Sequence, residues 1–315
     1  MLKLIGRECS KVKSVLADAR ATVAPPSPID LAVTMGAFRR GPYDPTIWFD
    51  AGQVSRSTRT PDGPATLQLR PMGDQIEAQA WGAGSGWAVS HVSNLLGFND
   101  QPESFKPENP LLRELHRRHA GLRVGATGLV FEALLPTVLE QKVPGMEAWR
   151  SFARLTRELG EPAPGQAGLL LQPSPQRLLS TPYWAIHRFG IERRRFRVIQ
   201  HAARVATQLE RTTELAPEAA RHVLMSLPGV GAWSAAEVSV VAYGDRDAVS
   251  VGDYHLPHQV AWALAGEPRG TDARMLELLE PYRGHRARVL RLLTLGGIQA
   301  PRFGPRMRLR RIAQI

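Results

Sequence analysis

The chain has 315 residues, of which 43% are hydrophobic and 22% charged, an ordinary composition for two or three packed globular units. Its 40 lysines and arginines exceed its 29 acidic residues, which favours a nucleic-acid partner, although an arginine-rich coding bias gives the same excess. The single cysteine, Cys9, excludes a disulfide framework and a four-cysteine iron–sulfur or zinc site. Charges throughout the first residues, and the lack of any apolar run of about 18 residues, predict a soluble, cytoplasmic protein without signal peptide or membrane span.

The first third of the chain predicts a short leading segment and a small α+β domain. Residues 1–28 are interpreted as an N-terminal helix and linker, because Pro25 and Pro26 forbid a continuing helix. Residues 29–97 alternate apolar and polar residues over short runs bounded by glycine-containing turns. This pattern predicts a small antiparallel sheet with one or two helices, the last of which ends at Gly97.

The remaining two thirds predict a helical domain. In residues 98–300, segment after segment places apolar residues three and four positions apart, and several segments close with glycine. No strand signal of comparable strength follows Glu108. Residues 301–315 are basic and predict a loosely ordered tail. The fold class is therefore α+β overall and mainly α.

The stretch LPGVGAWSA, residues 227–235, lies between two predicted helices and contains Gly229 and Gly231. Backbone N–H groups at the start of the second helix have no intrahelical partner, and they lie at the positive end of the helix dipole. An anion such as a DNA phosphate binds there, and glycine permits its close approach and a positive φ. A tight turn between helices needs the same glycines, so the motif alone leaves both roles open.

Asp253 follows the short β-prone run 249–251 and precedes another predicted helix. Aspartate is a favoured N-cap, which contributes about 1 kcal/mol. A carboxylate held at a helix N-terminus is also aimed in a fixed direction, so capping and catalysis are compatible roles.

Taken together, LPGVGAWSA and the following VSVGDYHL resemble the helix-hairpin-helix DNA glycosylase superfamily, most closely its 3-methyladenine DNA glycosylase II (AlkA-type) branch. Further segments are similar to that family: FEALLPTVLEQKV at residues 131–143, and residues 189–206 and 279–290. Residues 29–97 look like the small α+β domain that precedes the helical domain in this branch. The resemblance extends from about Ile29 to Gly297.

The resemblance implies two helical lobes with a cleft between them, and an enzyme that flips a damaged base out of double-stranded DNA and hydrolyses its N-glycosidic bond. It implies that Asp253 is the catalytic carboxylate. Family members that also cleave the strand carry a lysine after the hairpin, where this chain has Trp233, so a monofunctional enzyme is implied. An alkylated purine is the default substrate and a monomer the expected state. The alternative is a non-catalytic protein of the same fold that binds damaged DNA.

The resemblance also assigns the other site residues. The expected base pocket contains Trp233, Glu237, Gln141 and Tyr282. The expected DNA contacts come from Gly229, Val230, Gly231, Ala232, Lys142 and Arg193. No cofactor is expected apart from a structural Na⁺ or K⁺ bound by the backbone carbonyls of Met225, Leu227 and Val230, and the cysteine count excludes an iron–sulfur cluster.

Three features depart from the family pattern or allow two interpretations. Lys142 stands where the family has an apolar wedge; it either reaches phosphate or serves as the nucleophile of a lyase. Glu237 lies one turn after Trp233; it pairs with a cationic base, donates to a neutral one if burial raises its pKa, or faces solvent. The arginine run at 193–197 either forms a solvated helix face or contacts phosphate. Its members are Arg193, Arg194, Arg195 and Arg197.

Overall fold

A computed structural model describes residues 16–165 and 167–301 of the chain. Its N-terminal part is a five-stranded antiparallel sheet with the strand order β1-β5-β4-β3-β2. The strands are β1 (Ala19–Val23), β2 (Ile47–Asp50), β3 (Gln53–Thr60), β4 (Gly63–Met72) and β5 (Gln75–Trp81). The predicted small antiparallel sheet is therefore confirmed, and the predicted helix before it falls on residues that lie outside the described part.

The sheet begins earlier in the chain than the sequence predicts. Ala21, Thr22 and Val23 were interpreted as linker, but they pair with Ala78, Glu77 and Ile76 of β5. That part of the linker prediction is wrong. A strand of only five residues has a weak pattern, and its partner strand lies far downstream in the chain. Pro25 and Pro26 follow the strand, where they do no damage to its hydrogen bonds.

Helices form most of the rest of the described chain. They are α1 (Leu31–Met35), α2 (Ser85–Ser90), α3 (Val92–Leu95), α4 (Pro110–Arg118), α5 (Val130–Glu140), α6 (Gly145–Leu159), α7 (Pro175–Ser180), α8 (Tyr183–His187), α9 (Arg193–Arg204), α10 (Ala206–Glu210), α11 (Pro217–Met225), α12 (Ala232–Tyr243), α13 (Leu256–Ala265), α14 (Asp272–Leu279) and α15 (Arg286–Leu295). In the described residues, no helix has the length and apolar character needed to span a membrane. The mixture of helices with a small antiparallel sheet confirms the predicted α+β class.

Two local predictions need correction. The helix expected to end at Gly97 is divided into α2 and α3, which break at His91. The helical domain also contains a pair of two-residue strands, β6 (Glu161–Pro162) and β7 (Leu170–Leu171), in a stretch that was expected to lack strands. Such short runs carry too few residues for a detectable alternating pattern.

The apolar side chains form three cores. The first packs the sheet against α1 to α3 and includes Met35 and Leu69. The second surrounds α5, α6, α9 and α12, with Phe152 and Phe196 among its fully buried residues. The third joins α4 to α13, α14 and α15. Helix α12 thus belongs to the second core, whereas α13 belongs to the third.

Polar contacts join the sheet to the second core. Glu132 of α5 accepts hydrogen bonds from the side chains of Arg56 and Thr58 on β3. Near the other end of α5, the Arg40 guanidinium lies 3.7 Å from the Glu140 carboxylate. These contacts place the loop before β2 beside the C-terminal end of α5, where it reaches the candidate site.

Candidate active site

The hairpin between α11 and α12 is a tight turn, and the packing of the protein interior leaves no room for a side chain at Gly229. The Val230 amide donates to the Leu227 carbonyl at 3.0 Å, which closes the turn. Gly229 has a φ of +90°, and a Cβ added there would lie 2.4 Å from Val198 Cγ2. A larger residue at this position would therefore be strained and would collide with the second core.

Gly231 serves a different purpose, because its surroundings are open. Its backbone is extended, with φ −104° and ψ −174°, and an added Cβ would meet nothing within 4 Å. It is the N-cap of α12 and makes no side-chain capping hydrogen bond. Gly231 and Ala232 are exposed, so the N-terminal end of α12 is open to solvent.

The Asp253 carboxylate is held between two helices. Its Oδ1 accepts the amide N–H groups of His255 and Leu256 at 2.7 and 2.9 Å. The N-cap residue of α13 is His255, so Asp253 bonds the start of this helix from two residues before the cap and is not the N-cap that the sequence predicts. Its Oδ2 accepts the indole N–H of Trp233, in the first turn of α12, at 2.9 Å. The carboxylate is half-buried and fixed in direction by all three donors.

Glu237 lies one turn further along α12, and its side chain is half-buried. The Ser250 hydroxyl donates to its Oε1 at 2.5 Å. Burial raises the pKa of the Glu237 carboxyl, and the negative charges of Glu140 and Asp253 raise it further. The Ser250 hydrogen bond and the positive charge of Arg40 act in the opposite direction. The solvent-facing interpretation of Glu237 is therefore wrong: burial dominates its surroundings.

We call Glu237, Ser250, Glu140 and Arg40 the Glu237 cluster. Its members come from α12, the loop before α13, the end of α5 and the loop before β2. Burial lowers the pKa of Arg291 on α15, and the positive charge of Arg40 lowers it further. The Arg291 Nε atom is buried and has no hydrogen-bond partner among the described residues.

The turn between α5 and α6 adjoins the hairpin. The Gln141 side-chain amide donates to the Gly229 carbonyl at 2.9 Å and to the Ser234 hydroxyl at 2.8 Å. Gln141 thereby ties the end of α5 to the hairpin. The next residue, Lys142, is exposed and has a φ of +57°, a left-handed conformation that is uncommon for lysine. Lys142 is thus displayed at the surface next to the hairpin.

The arginine run divides into exposed and buried members. Arg193, Arg194 and Arg197 are exposed, and the Arg193 guanidinium lies 5.0 Å from the ring centroid of Tyr183. Arg195 is buried and donates to the Leu139 carbonyl at 2.7 Å and to the Gly190 carbonyl at 3.2 Å. The arginine run was expected to form a solvated face or to contact phosphate, and both interpretations are wrong for Arg195. Its position on α9 faces the core, where the guanidinium donates to backbone carbonyls.

Two other predicted residues pack against or within cores. Tyr282 is half-buried and packs against the third core, with its ring centroid 6.2 Å from that of Phe105. The Val230 side chain is buried in the second core, which leaves only its backbone for an outside ligand.

Sequence reasoning missed Arg40, Glu140 and Ser250. Glu140 is adjacent to Gln141, and Ser250 lies within the β-prone run before Asp253, so proximity to predicted residues was a signal for both. Arg40 carried no such signal. It reaches the site only because the sheet packs on α5, a contact between parts of the chain that are far apart in sequence.

Comparisons with known proteins agree with this architecture. No family model matches the chain. A curated relative, DNA-3-methyladenine glycosylase 2 of Escherichia coli, is 25% identical over 199 residues, which cover 62% of this chain and 68% of the relative. The solved 3-methyladenine DNA-glycosylase from Archaeoglobus fulgidus superposes with a TM-score of 0.74 at 21% identity, covering 87% of this chain and 97% of that one.

A third similar protein is the 8-oxoguanine glycosylase/lyase of Clostridium acetobutylicum, solved with double-stranded DNA. Its TM-score is 0.65 at 12% identity, over 84% of this chain and 90% of that one. The predicted resemblance to the helix-hairpin-helix DNA glycosylases is thus confirmed, and the structural matches establish a common fold.

Proposed function

We propose that this protein is a DNA glycosylase that removes a damaged base, by default an alkylated purine, from double-stranded DNA. The observation that carries the proposal is Asp253, which is fixed between α12 and α13 directly beside the open N-terminus of the hairpin helix. The names of two relatives, both 3-methyladenine glycosylases, support the choice of an alkylated base.

In the proposed mechanism, the second and third cores are two lobes, and the flipped base enters a cleft between them. A phosphate of the DNA backbone binds at Gly231 and Ala232, where the first amides of α12 point outward. Cleavage of the N-glycosidic bond builds positive charge on the deoxyribose. Asp253 stabilises that charge and orients the attacking water, because its carboxylate is held by three N–H donors.

The proposed enzyme is monofunctional. Strand cleavage through a Schiff base requires an amine, whereas the first turn of α12 carries Trp233, whose indole N–H is bonded to Asp253. Lys142, exposed in the turn next to the hairpin, is the alternative amine. Cleavage of the DNA strand without alkali would show that the reaction proceeds through such a lysine.

A monovalent cation at the hairpin is also part of the proposal. The donors would be the backbone carbonyls of Met225, Leu227 and Val230, neutral oxygens of the kind that hard cations prefer. Within the described residues, the Leu227 carbonyl accepts the Val230 amide, and the other two carbonyls accept no hydrogen bond. Two of the three oxygens thus have both lone pairs free. A bound Na⁺ or K⁺ would supply positive charge towards the DNA phosphate.

The proposal is tested by measuring release of free base from methylated duplex DNA by the wild type and by Asp253→Asn. We expect release by the wild type and a loss of about 10²–10³-fold or more in the variant, because the amide carries no charge to stabilise the transition state. Asp62→Asn is the matched control, since Asp62 is exposed in the β3–β4 turn. Binding without release across a panel of lesions would instead identify a non-catalytic damaged-DNA-binding protein.

A further inference from the structure

The carboxyl of Glu237 makes a single side-chain hydrogen bond to the described residues. Its Oε1 accepts the Ser250 hydroxyl, and no other hydrogen bond from the described residues reaches the carboxyl. Oε2 is therefore left without a partner, although the side chain keeps some exposure to solvent. A protonated carboxyl would have this form, with the carbonyl oxygen accepting from Ser250 and the hydroxyl free to donate.

Charged groups of both signs act on Glu237. Glu140 and Asp253 supply negative charges that raise its pKa, and Arg40 supplies a positive charge that lowers it. Burial is the largest influence on this pKa, and it favours the protonated carboxyl.

We propose that Glu237 is a general acid that protonates the departing base when that base is an uncharged purine. This inference rests on the proposed function, because it assigns a second role at the same site. A cationic alkylated base leaves without a proton. A neutral base would leave as an anion, and it departs readily only if it is protonated as the bond breaks.

The proton balance is complete within the site and water. The bond between C1′ and the base nitrogen breaks, and its electron pair stays with the base. Glu237 gives its proton to a nitrogen or carbonyl oxygen of the base and becomes a carboxylate. Water adds its oxygen to C1′ and gives up a proton to solvent, from which Glu237 is protonated again. The products are the neutral free base and the abasic site.

The position of Glu237 on α12 fits this role. It lies one turn, or about 5.4 Å along the helix axis, beyond Trp233, which touches Asp253. The proposed role requires that a purine whose glycosidic bond lies at Asp253 reaches Glu237 with another edge. The expected substrate class is a neutral purine with an acceptor on that edge, such as hypoxanthine.

The test compares single-turnover release of hypoxanthine and of 7-methylguanine from otherwise identical duplexes by wild type, Glu237→Gln and Glu214→Gln. Glu214 is exposed and serves as the control. We expect Glu237→Gln to lose about 10²–10⁴-fold in the rate of hypoxanthine release, with 7-methylguanine release changed only a few-fold. Wild-type hypoxanthine release should fall as the pH rises through the elevated pKa of Glu237, and the variant should lack this decline.

Each other outcome has a definite meaning. If the wild type releases 7-methylguanine but no hypoxanthine, or if Glu237→Gln slows both reactions equally, the general-acid role is wrong while the proposed function stands. If neither base is released by the wild type, the proposed function itself fails. A structural role for Glu237 would lower both rates together, so the contrast between the two bases identifies the acid.

Discussion

Trp233, which donates to Asp253, and Glu237 lie one turn apart on α12, yet the hairpin with Asp253 and the Glu237 cluster are built in opposite ways. At the hairpin, N–H groups point outward from Gly231 and Ala232, and three N–H donors hold Asp253. In the Glu237 cluster, one hydroxyl and several charged groups face inward around a carboxyl. The first arrangement suits a bound anion and a fixed carboxylate, and the second suits a carboxyl that retains its proton.

The contrast matches the two roles proposed for the carboxyl groups of Asp253 and Glu237. Their surroundings differ in the number of hydrogen-bond donors and in the charge nearby. In enzymes that need both a charged carboxylate and a proton donor, two neighbouring carboxyl groups have environments that move their pKa values apart.

The largest expected effect is on stability, at the hairpin. Gly229→Ala should lower the free energy of unfolding by about 2–6 kcal/mol, because a positive φ and a clash with the core each cost about 1–3 kcal/mol. The reason is the φ of +90° and the 2.4 Å approach of an added Cβ to Val198. Urea unfolding monitored by circular dichroism measures the change.

Gly231→Ala is the matched control, since an added Cβ there meets nothing within 4 Å. Its stability should stay within about 1 kcal/mol of the wild type, whereas its affinity for duplex DNA should fall because the methyl group stands where phosphate would approach. Equal losses of stability in the two variants would mean that both glycines serve only the turn.

The next effect concerns stability as a function of pH. Burial raises the folded-state pKa of Glu237 above its ordinary value of 4.5. The stabilisation linked to its proton is therefore complete below the unfolded pKa and is lost as the pH rises through the folded pKa. Glu237→Gln should thus become more stable relative to wild type as the pH rises, by about 1.4 kcal/mol per unit of pKa difference.

Unfolding free energies measured at pH 5 and pH 8 test this difference. Glu210, whose pKa burial also raises, is present in both proteins, so its contribution cancels. Parallel pH profiles for the two proteins would show that Glu237 titrates in the folded state as it does in the unfolded chain.

A smaller effect is expected beside the hairpin, at Lys142. Lys142→Gly should increase stability by about 1 kcal/mol, because glycine adopts the φ of +57° without the steric cost that lysine bears. The same variant should bind duplex DNA less tightly, and the slope of log K against log salt should decrease in magnitude by about 0.9 if one phosphate contact is lost. Titrations at several salt concentrations measure this slope.

Lys106→Ala is the control for the salt dependence, since Lys106 is exposed in the loop before α4. An unchanged slope in Lys142→Gly would mean that Lys142 makes no phosphate contact. If Lys142→Gly is more stable than the wild type and binds DNA equally well, the left-handed backbone at Lys142 has no role in DNA binding.

The two regions also differ in how far the sequence revealed them. The hairpin and Asp253 could be predicted because each depends on residues that are close together in the sequence. Turn glycines, a helix start and an aspartate just before a helix all leave local patterns. The Glu237 cluster depends on Arg40, which meets Glu140 only after the sheet has packed on α5. At Arg195 the local pattern was misleading. A run of arginines suggests a solvated helix face, but the position of Arg195 on α9 directs its side chain into the core, where it donates to the Leu139 carbonyl.

The smallest expected change separates charge from structure within the Glu237 cluster. The Glu140 charge raises the pKa of Glu237, and the Arg40 charge lowers it. Glu140→Gln should therefore move the alkaline decline of hypoxanthine release to lower pH, and Arg40→Met should move it to higher pH. Both substitutions remove the same 3.7 Å ion pair. Opposite displacements of the pH profile cannot come from loss of that pair, so they would identify Glu237 as the titrating acid, and displacements in one direction would contradict it.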